Sequence, residues 1–299
     1  MNASKLESSV DREAFVRLLA DLRPKLHRYC ARMTGSVIDG EDVVQEALMK
    51  AFVALTDHQP IAQLESWLFR ISHNTALDYL RHRARQNATH SNEDPDMIAD
   101  PVTVVDQHQA ATASLRTFMR LPAAQRSCVI LMDVLGYSLE EIGSVIEGSI
   151  PAVKSALHRG RARLRELVKE PEDLPLPVLA EPERSLLADY IEKFNARDFD
   201  AIRNMLGDEV RLDLVAWKQM TGRREVGTYF QNYGSVHDWH LAPGFVDGHP
   251  AVLVHDPRHA SATPAYFVLL QWADGRIGNI RDFRYARYAT EGAEFLIAS

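Results

Sequence analysis

The sequence contains little cysteine, no long apolar run and no excess of positive charge. Cys30 and Cys128 are the two cysteines among the 299 residues. Neither has a CxxC partner, so we expect neither a disulfide framework nor a thiolate metal site. Both thiols are predicted to pack in an apolar core. No apolar segment approaches the ~20 residues of a membrane span, and the first residues lack the apolar core of a signal peptide. We therefore expect a cytoplasmic protein without a membrane segment, a metal or a cofactor.

The net charge of −7 is unevenly distributed along the chain. Residues 91–110 contain five acidic and no basic residues, and residues 171–299 contain 19 acidic and 13 basic residues. Residues 1–90 and 111–170 together therefore carry a net charge of +4. Because the whole molecule is acidic, we do not expect it to bind DNA tightly without sequence preference. A second component is expected to bring the basic segments to DNA.

The first half of the chain has the periodicity of helices. Apolar residues recur at helical spacing over residues 12–85, which predicts helices throughout this segment. Pro24 interrupts the first of these patterns and predicts a kink or a break there. Residues 86–110 lose the periodicity and gain Asn, Asp and Pro, which indicates a linker. A second helical segment follows over residues 111–169, with Pro122 in the first turn of one of its helices.

Residues 136–165 contain the pattern of a helix-turn-helix: a short amphipathic helix, a turn with glycine, and a longer helix rich in Lys and Arg. Ser138 and Glu141 predict a capping box for the first helix, and Ser149 is the predicted N-cap of the second. A helix that enters a major groove needs cations for phosphates and an apolar stripe that packs on its own domain. The candidate DNA contacts on the second helix are Ser149, Lys154, Ser155, His158, Arg159, Arg161 and Arg163.

The pattern changes after the proline-rich residues 171–184, which predict an extended connector. Helices are predicted over residues 186–206 and 224–233. Strands rich in Val, Leu and aromatic residues are predicted over residues 210–215, 251–255, 266–272 and 277–285. Helices followed by a series of strands indicate an α+β domain whose helices lie on one side of a curved sheet.

Three motifs of the helical part resemble the extracytoplasmic-function (ECF) sigma factors of bacteria, which contain sigma regions 2 and 4. Residues 39–52, DGEDVVQEALMKAF, are similar to the D-A-E-D-L-V-Q-E-x-F pattern of region 2. Residues 65–85, ESWLFRISHNTALDYLRHRAR, are similar to its W-L-x-x-I-A-x-N-x-x-x-D-x-x-R pattern. The helix-turn-helix is similar to that of region 4. It departs from the family at the turn residues Glu147-Gly148 and at Ala156, where the family often has a basic residue.

The resemblance implies that region 2 binds the β′ clamp helices of core RNA polymerase and the −10 promoter element, and that region 4 binds the β flap and the −35 element. It places the polymerase contacts at Asp42, Gln45 and Glu46. It places the −10 contacts at Asn74, Asp78, Arg81, Arg83 and Arg85. Two alternatives stay open: the acidic helix could be an ordinary amphipathic core helix, and Asp78 could pair with an arginine of its own helix. Core positions are expected for Trp67, Leu68 and Ile71.

Residues 185–299 resemble, in their order of elements, the SnoaL-like, ketosteroid-isomerase-like cone fold, in which helices pack across a bent sheet around a pocket. The candidate pocket residues are Asp213, Trp217, Trp239, His240, Tyr266 and Asp282. A carboxylate in an apolar pocket would have the raised pKa that proton abstraction needs. Alternatively, the two aspartates pair with neighbouring arginines. The histidines here lack a metal-ligand spacing such as HExxH. Regulation by protein contact is the favoured role of this domain, with small-molecule sensing and catalysis as alternatives.

The sequence thus predicts two all-α domains and one α+β domain. The predicted segments are region 2 (1–88), an acidic linker (89–112), region 4 (113–170), the connector (171–184) and the cone domain (185–299). The predicted function is that of a non-enzymatic alternative sigma factor that binds core RNA polymerase and promoter DNA and is regulated by its C-terminal domain. The alternatives are a free-standing helix-turn-helix regulator with a ligand-sensing domain, and an isomerase or cyclase with a DNA-targeting appendage. Neither alternative explains the motifs at 39–52 and 65–85 together.

Overall fold

The computed structural model describes residues 3–55, 64–86, 110, 112–170, 177–234, 236, 239–258 and 263–298. The chain divides into two compact units, Met1–Glu172 and Asp173–Ser299. The first contains helices, and the second contains helices and one sheet, as predicted. Most of the predicted acidic linker and residues 171–176 of the predicted connector lie outside the described residues. No helix in the described part of the chain is long and apolar enough to cross a membrane.

Three long helices open the first unit. They are α1 (Ala3–Thr34), α2 (Val37–Leu55) and α3 (Leu64–Gln86). Helix α1 continues through Pro24, so the chain does not break where the sequence allowed a break. Leu22 and Leu26, on either side of the proline, are both buried. Their packing offsets the backbone hydrogen bond that proline cannot donate.

Four shorter helices follow in the described part of the first unit. They are α4 (Leu115–Met119), α5 (Ala123–Val129, followed by a π-helical turn over Ile130–Val134), α6 (Leu139–Ile146) and α7 (Ile150–Leu167). The predicted capping box is confirmed, because Ser138 Oγ accepts from the Glu141 N–H at 3.3 Å and the Glu141 carboxylate accepts from the Ser138 N–H at 2.8 Å. Ser149 caps α7 as predicted, by accepting from the Ala152 N–H at 3.4 Å. The turn between α6 and α7 places Glu147 in the left-handed region, at φ 56°.

One hydrophobic core includes residues from every helix of the first unit. Cys30 and Cys128 are buried in it as free thiols, which confirms their predicted core positions. Leu68 is buried, and Trp67 and Ile71 are half-buried against the same core. Because residues of α3, α6 and α7 contribute to this one core, the two helical motif regions pack against each other.

Helices and strands follow one another in the second unit. The helices are α8 (Glu183–Asn195), α9 (Phe199–Met205) and α10 (Arg223–Gly234). The strands are β1 (Leu206–Leu214), β2 (Lys218–Thr221), β3 (His240–Val246), β4 (His249–His255), β5 (Tyr266–Ala273), β6 (Arg276–Asp282) and β7 (Phe295–Ile297). The sequence pattern did not predict strands β2, β3 and β7.

The strands form one sheet in the order β2-β1-β6-β5-β4-β3-β7. Strands β1 and β6 are parallel, and the other neighbours are antiparallel. Leu212 of β1 and Ile280 of β6 are buried in one core with residues of α8, α9 and α10, so the helices cover one face of the sheet, as predicted. Phe267 alternates with the core residues of β5 and therefore lies on the opposite face, where it stacks on Phe283 at 4.2 Å.

Candidate polymerase and nucleic-acid interface

The outer side of α2 carries the acidic residues that the sequence assigns to polymerase binding. Asp42 and Glu46 are exposed and Gln45 is half-buried, whereas Val43 is buried in the core. Residues four apart share one face of a helix, which places the two acids side by side. Glu46 also forms an ion pair with Lys50 at 2.8 Å. The helix is therefore amphipathic, with a fixed inner side and an acidic outer side.

Three apolar side chains extend this outer side towards the end of α2. Met49, Phe52 and Val53 are 67%, 40% and 68% exposed. Sequence reasoning missed them as site residues, because an apolar residue in a helix is expected to pack inward. Exposed apolar side chains that are rimmed by polar ones are typical of a protein-binding surface. We call this surface the α2 face, and it consists of Asp42, Gln45, Glu46, Met49, Phe52 and Val53.

The second half of α3 presents polar and basic side chains to solvent. Asn74, Arg81 and Arg85 are exposed. Asp78 forms an exposed ion pair with Arg81 at 2.7 Å, which is the pairing that the sequence left open. The predicted residues are therefore brought together on one accessible stretch of helix.

Arg83 has a different environment from the other predicted α3 contacts. Its guanidinium lies 3.1 Å from the Asp39 carboxylate and 3.5 Å from the Thr34 carbonyl oxygen. The side chain is 48% exposed. These bonds hold the end of α3 to the last residue of α1 and the first turn of α2. Arg83 therefore has a structural contact, although its side chain is partly exposed.

The inner side of α3 contains a buried histidine. His73 Nδ1 lies 2.7 Å from the Tyr29 hydroxyl. Burial, with a smaller contribution from Arg81, lowers the pKa of His73 to about 4. The imidazole is therefore neutral at pH 7 and belongs to the core of the unit, while the exposed residues of α3 carry the positive charge.

The predicted DNA contacts on helix α7 differ in how exposed their side chains are. Those exposed are Ser149, Lys154, Ser155 and Arg163, and those half-buried are His158 and Arg159. Ala156, where the family often has a basic residue, lies on the buried side of the helix. The exposed group gives α7 an outer surface with cations and short polar side chains, which suits contact with phosphates and base edges.

Arg161 is corrected from a DNA contact to a core residue. It is 9% exposed, and its Nε donates to Asp133 Oδ2 at 2.8 Å while Nη2 donates to the other carboxylate oxygen. The Asp133 side chain is fully buried. A guanidinium held by both carboxylate oxygens inside the unit is not available to a phosphate.

Comparisons with known proteins identify the same two regions. Residues 18–86 match Sigma-70 region 2, and residues 115–164 match Sigma-70 region 4. The ECF RNA polymerase sigma factor SigM of Mycobacterium tuberculosis is 35% identical over 169 residues, which covers 56% of this chain and 84% of SigM. The chain belongs to the ECF RNA polymerase sigma factors. Helices α1–α3 of this sigma factor contain region 2, and helices α4–α7 contain region 4.

Similarity also extends beyond region 4. The ECF RNA polymerase sigma factor SigG of Mycobacterium tuberculosis is 29% identical over 293 residues, which covers 87% of this chain and 78% of SigG. The crystal structure of the ECF sigma factor SigJ of Mycobacterium tuberculosis covers 89% of this chain and 94% of its own, at 19% identity and a TM-score of 0.35. The interpretation as a free-standing regulator is not favoured, because it leaves the region 2 match unexplained.

The second unit of this sigma factor brings two of the predicted pocket residues together. Asp282 is completely buried, and the Tyr229 and Tyr233 hydroxyls both donate to its Oδ2. The backbone N–H of Arg284 donates to Oδ1 at 2.8 Å. The Tyr266 hydroxyl lies 3.3 Å from that of Tyr233 and accepts from Arg284 Nη1 at 3.0 Å. We call these residues the Asp282 cluster.

Burial dominates the electrostatics of the Asp282 cluster. It raises the pKa of Asp282 above the usual range of a carboxyl group, against the opposing effect of the hydrogen bonds. It also raises the pKa of Tyr266 to about 12. Sequence reasoning missed Tyr229 and Tyr233, although their spacing of four residues places both hydroxyls on one face of α10.

Asp213 is corrected from a pocket residue to a residue of the outer sheet face. It is paired in register with Arg281, and its carboxylate lies 3.9 Å from the Arg281 guanidinium. Leu214, the next residue of β1, pairs with Asp282 and faces the helices. Because side chains alternate along a strand, Asp213 and Asp282 lie on opposite faces of the sheet.

Two of the three remaining predicted pocket residues also differ from expectation. Trp217 is 63% exposed, with its ring centroid 4.3 Å from that of Tyr285, and His240 is exposed at the start of β3. These two residues therefore do not line an interior pocket. Trp239 is buried as expected, with its ring centroid 4.9 Å from that of Phe194. Its indole Nε1 has no hydrogen-bond partner in the described part of the chain.

Proposed function

We propose that this sigma factor binds core RNA polymerase in the cytoplasm through the α2 face. Region 2 would contact the β′ clamp helices there, and region 4 would contact the β flap. The observation that carries the proposal is the combination of exposed Asp42 and Glu46 with exposed Met49, Phe52 and Val53 on one helix. A surface of this composition gains charge complementarity and apolar burial from a protein partner.

We also propose that α3 and α7 bind promoter DNA. On α3, the −10 contacts are Asn74, Arg81 and Arg85, with Asp78 and Arg83 held beside them. On α7, the −35 contacts are Ser149, Lys154, Ser155, His158, Arg159 and Arg163. Exposed cations on these helices support backbone contacts, and the buried sides of both helices keep the contacts in fixed positions.

For the second unit, we propose regulation of the sigma regions by protein contact, without catalysis. Both oxygens of the Asp282 carboxylate accept hydrogen bonds from the chain's own donors. Three donors thus occupy three of the roughly four acceptor positions of this completely buried carboxylate, which opposes its use as a general base. The aromatic packing around Trp239 supports a filled interior in this part of the unit.

Binding to core RNA polymerase tests the α2 face directly. The Asp42→Arg/Glu46→Arg variant is expected to bind about 10- to 100-fold more weakly, because charge reversal replaces attraction by repulsion worth several kcal/mol. The matched control is Asp21→Arg/Glu140→Arg, which reverses two exposed acids elsewhere in the first unit. An equal loss in the control, or unchanged binding of the α2 variant, would contradict the proposal.

A chain that ends at residue 170 tests the second unit in the same assay. If the second unit regulates the sigma regions, the shortened chain differs from the full chain in polymerase affinity or in transcription from its promoter. The direction of the change gives the sign of regulation. Identical behaviour in both measurements would show that the second unit does not regulate initiation.

A further inference from the structure

The second half of α3 has two sides with different neighbours. At about 100° per residue, Asn74, Arg81 and Arg85 lie close together around the helix axis, and all three are exposed. Arg83 lies on the opposite side of the axis, one turn after Tyr79. The side that carries the candidate −10 contacts therefore points away from the side that carries Tyr79 and Arg83.

Arg83 joins α3 to both preceding helices. Its Nη1 donates to Asp39 Oδ2 at 3.1 Å and to the Thr34 carbonyl oxygen at 3.5 Å. Thr34 is the last residue of α1, and Asp39 lies in the first turn of α2. Helix dipoles favour a cation at a C-terminal end and an acid at an N-terminal end. The Arg83 guanidinium therefore lies where both helix ends favour it.

Tyr79 bonds to the same carboxylate. Its hydroxyl forms a hydrogen bond with the Asp39 side chain. Burial, with smaller contributions from this bond and from the charge of Asp39, raises the pKa of Tyr79 to about 12. The phenol therefore keeps its proton at neutral pH and donates it to the carboxylate. Asp39 is thus the common partner of two side chains, Tyr79 and Arg83, that lie one turn apart on α3.

Local bonds fix the backbone that carries Asp39. Ser36 Oγ accepts from the Ile38 N–H at 3.2 Å and from the Asp39 N–H at 3.4 Å. Gly35 has a φ of 81°, a left-handed conformation that suits glycine at the end of a helix. Its N–H donates to the Ala31 carbonyl oxygen at 2.8 Å. The connection between α1 and α2 therefore offers α3 a well-defined point of attachment.

We propose that Asp39 is a positioning residue for the −10 element: by its bond to Arg83 it holds the last turns of α3 in the orientation in which this helix meets the DNA strand. The inference rests on the proposed binding of the −10 element by α3. Residues 81–86 are all exposed, and helix ends without burial fray. Asp39 meets the side of α3 opposite to Arg81 and Arg85, so it acts on the DNA only through the helix.

The sign of a substitution effect distinguishes positioning from charge. Asp39→Asn removes a negative charge near a nucleic-acid surface, which by electrostatics alone strengthens DNA binding. If Asp39 positions α3, the same substitution weakens binding, because the helix end must then be ordered when the DNA binds. The expected loss is about threefold to tenfold, as for the ordering of one long side chain. A partly exposed ion pair contributes little to stability, so the variant stays folded.

Binding of single-stranded DNA by the full chain in complex with core RNA polymerase measures this effect. The probe is an oligonucleotide that the wild-type complex selects from a random pool, after sequences that bind polymerase alone have been removed. A scrambled oligonucleotide of the same composition accompanies it. Asp39→Asn is expected to lower the ratio of the two affinities, whereas a general loss of structure lowers both equally. Asp39→Glu keeps the carboxylate and should restore most of the ratio. The matched control Asp21→Asn removes an exposed acid from α1 and leaves the ratio unchanged.

A double-mutant cycle assigns the effect to the bonds of Asp39. In the Tyr79→Phe/Arg83→Gln background the carboxylate has lost both partners on α3, so Asp39→Asn is expected to lower the ratio no further. A loss that persists in this background overturns the proposal, and so does an Asp39→Asn chain whose ratio equals or exceeds that of the wild type. The proposed function fails separately: if Arg81→Gln/Arg85→Gln leaves the affinity for the selected oligonucleotide unchanged, α3 does not bind this strand.

Discussion

Arg161 and Arg163 lie two residues apart on α7 and have opposite environments. Arg161 is enclosed with Asp133, a residue that comes from the π-helical turn after α5. Arg163 is exposed on the outer surface of the helix. Both are arginines of one basic helix, and only their position around the helix axis separates a core residue from a candidate DNA contact. The same comparison provides a prediction.

Arg161→Met is expected to lower the free energy of unfolding by about 3–5 kcal/mol, because it leaves the Asp133 carboxylate buried without its partner. Arg163→Met is expected to leave stability within about 0.5 kcal/mol. It should weaken binding to −35 DNA and reduce the salt dependence of that binding by about one unit of slope. Denaturant unfolding and salt-dependent DNA titrations measure both effects. Equal stability of the two variants would contradict the assignment of Arg161 to the core.

In the second unit, two predicted site residues likewise lie on different faces of one element, here the sheet. Asp213 and Asp282 both occur on strands that the sequence predicts, and both were candidates for a catalytic carboxylate. The register of β1 and β6 places them on opposite sides of the sheet. Asp282 then has three donors around it, while Asp213 has the neighbouring Arg281. Strand alternation can be read from the sequence, but the pairing register that relates two strands cannot.

At the scale of elements, α3 has two functionally different sides. Its exposed side carries Asn74, Arg81 and Arg85, and its inner side carries His73 against Tyr29. The sequence predicts the helix and its basic end well, because helical spacing and the terminal arginines are local signals. It does not predict the state of His73, which depends on burial by α1.

The low pKa of His73 predicts a pH dependence of stability. The unfolded chain binds a proton near the usual histidine pKa of about 6.5, whereas the folded chain binds it only near pH 4. Stability is therefore complete above about pH 6.5 and decreases as the pH falls towards 4, by about 3 kcal/mol in total. An NMR titration of the imidazole and unfolding at pH 7 and pH 4.5 measure this.

The control is His82→Gln, which removes an exposed histidine from the same helix. This variant is expected to keep the pH dependence of the wild-type chain. A titration of His73 near pH 6.5, or a stability that does not change between pH 7 and pH 4.5, would contradict the buried state of the imidazole.

Strand β3 illustrates an element that the sequence does not predict. It contains Pro243 and Gly244, and both residue types are depleted in strands. It nevertheless pairs with β4 on one side and β7 on the other. A Cβ atom on Gly244 would come within 2.4 Å of the Leu253 side chain, so the close approach of β4 requires glycine at this position. Pairing with β4 across the Asp247-Gly248 turn, and with the distant β7, forms this strand despite its low strand propensity.

At the scale of the whole molecule, charge and packing act in the same direction. The chain is acidic overall, at a net charge of −7, although α3 and α7 present basic side chains. Region 4 is also packed on region 2, because the Tyr137 hydroxyl donates to Glu65 and the Tyr137 ring packs against Phe69. We expect both features to oppose promoter binding by the free chain, so that polymerase is required for it.

The full chain alone is therefore expected to bind duplex promoter DNA only at about the level of non-specific binding, with a Kd of about 10⁻⁴–10⁻⁶ M. Addition of core RNA polymerase should produce tight binding that depends on both promoter elements. Electrophoretic mobility shifts with and without polymerase, beside a duplex that lacks both elements, measure the difference. Tight and sequence-specific binding by the chain alone would favour the free-standing regulator instead.

Much of this sigma factor was determined by local sequence signals. The helices of both sigma regions, the Ser138 capping box, the Ser149 cap and the acidic side of α2 depend on residues a few positions apart, and the structure contains all of them. The strongly alternating strands of the second unit belong to the same class. In each case the interaction that forms the element lies within the segment that predicts it.

Only the tertiary structure decided which candidate residues are accessible. Arg161 meets Asp133 across 28 residues, and Tyr137 meets Glu65 across 72. Asp213 and Asp282 are separated by strand register. The sequence determines which side chains are available and on which face of their own element they lie. The partner that each face meets depends on long-range packing, which no local pattern encodes.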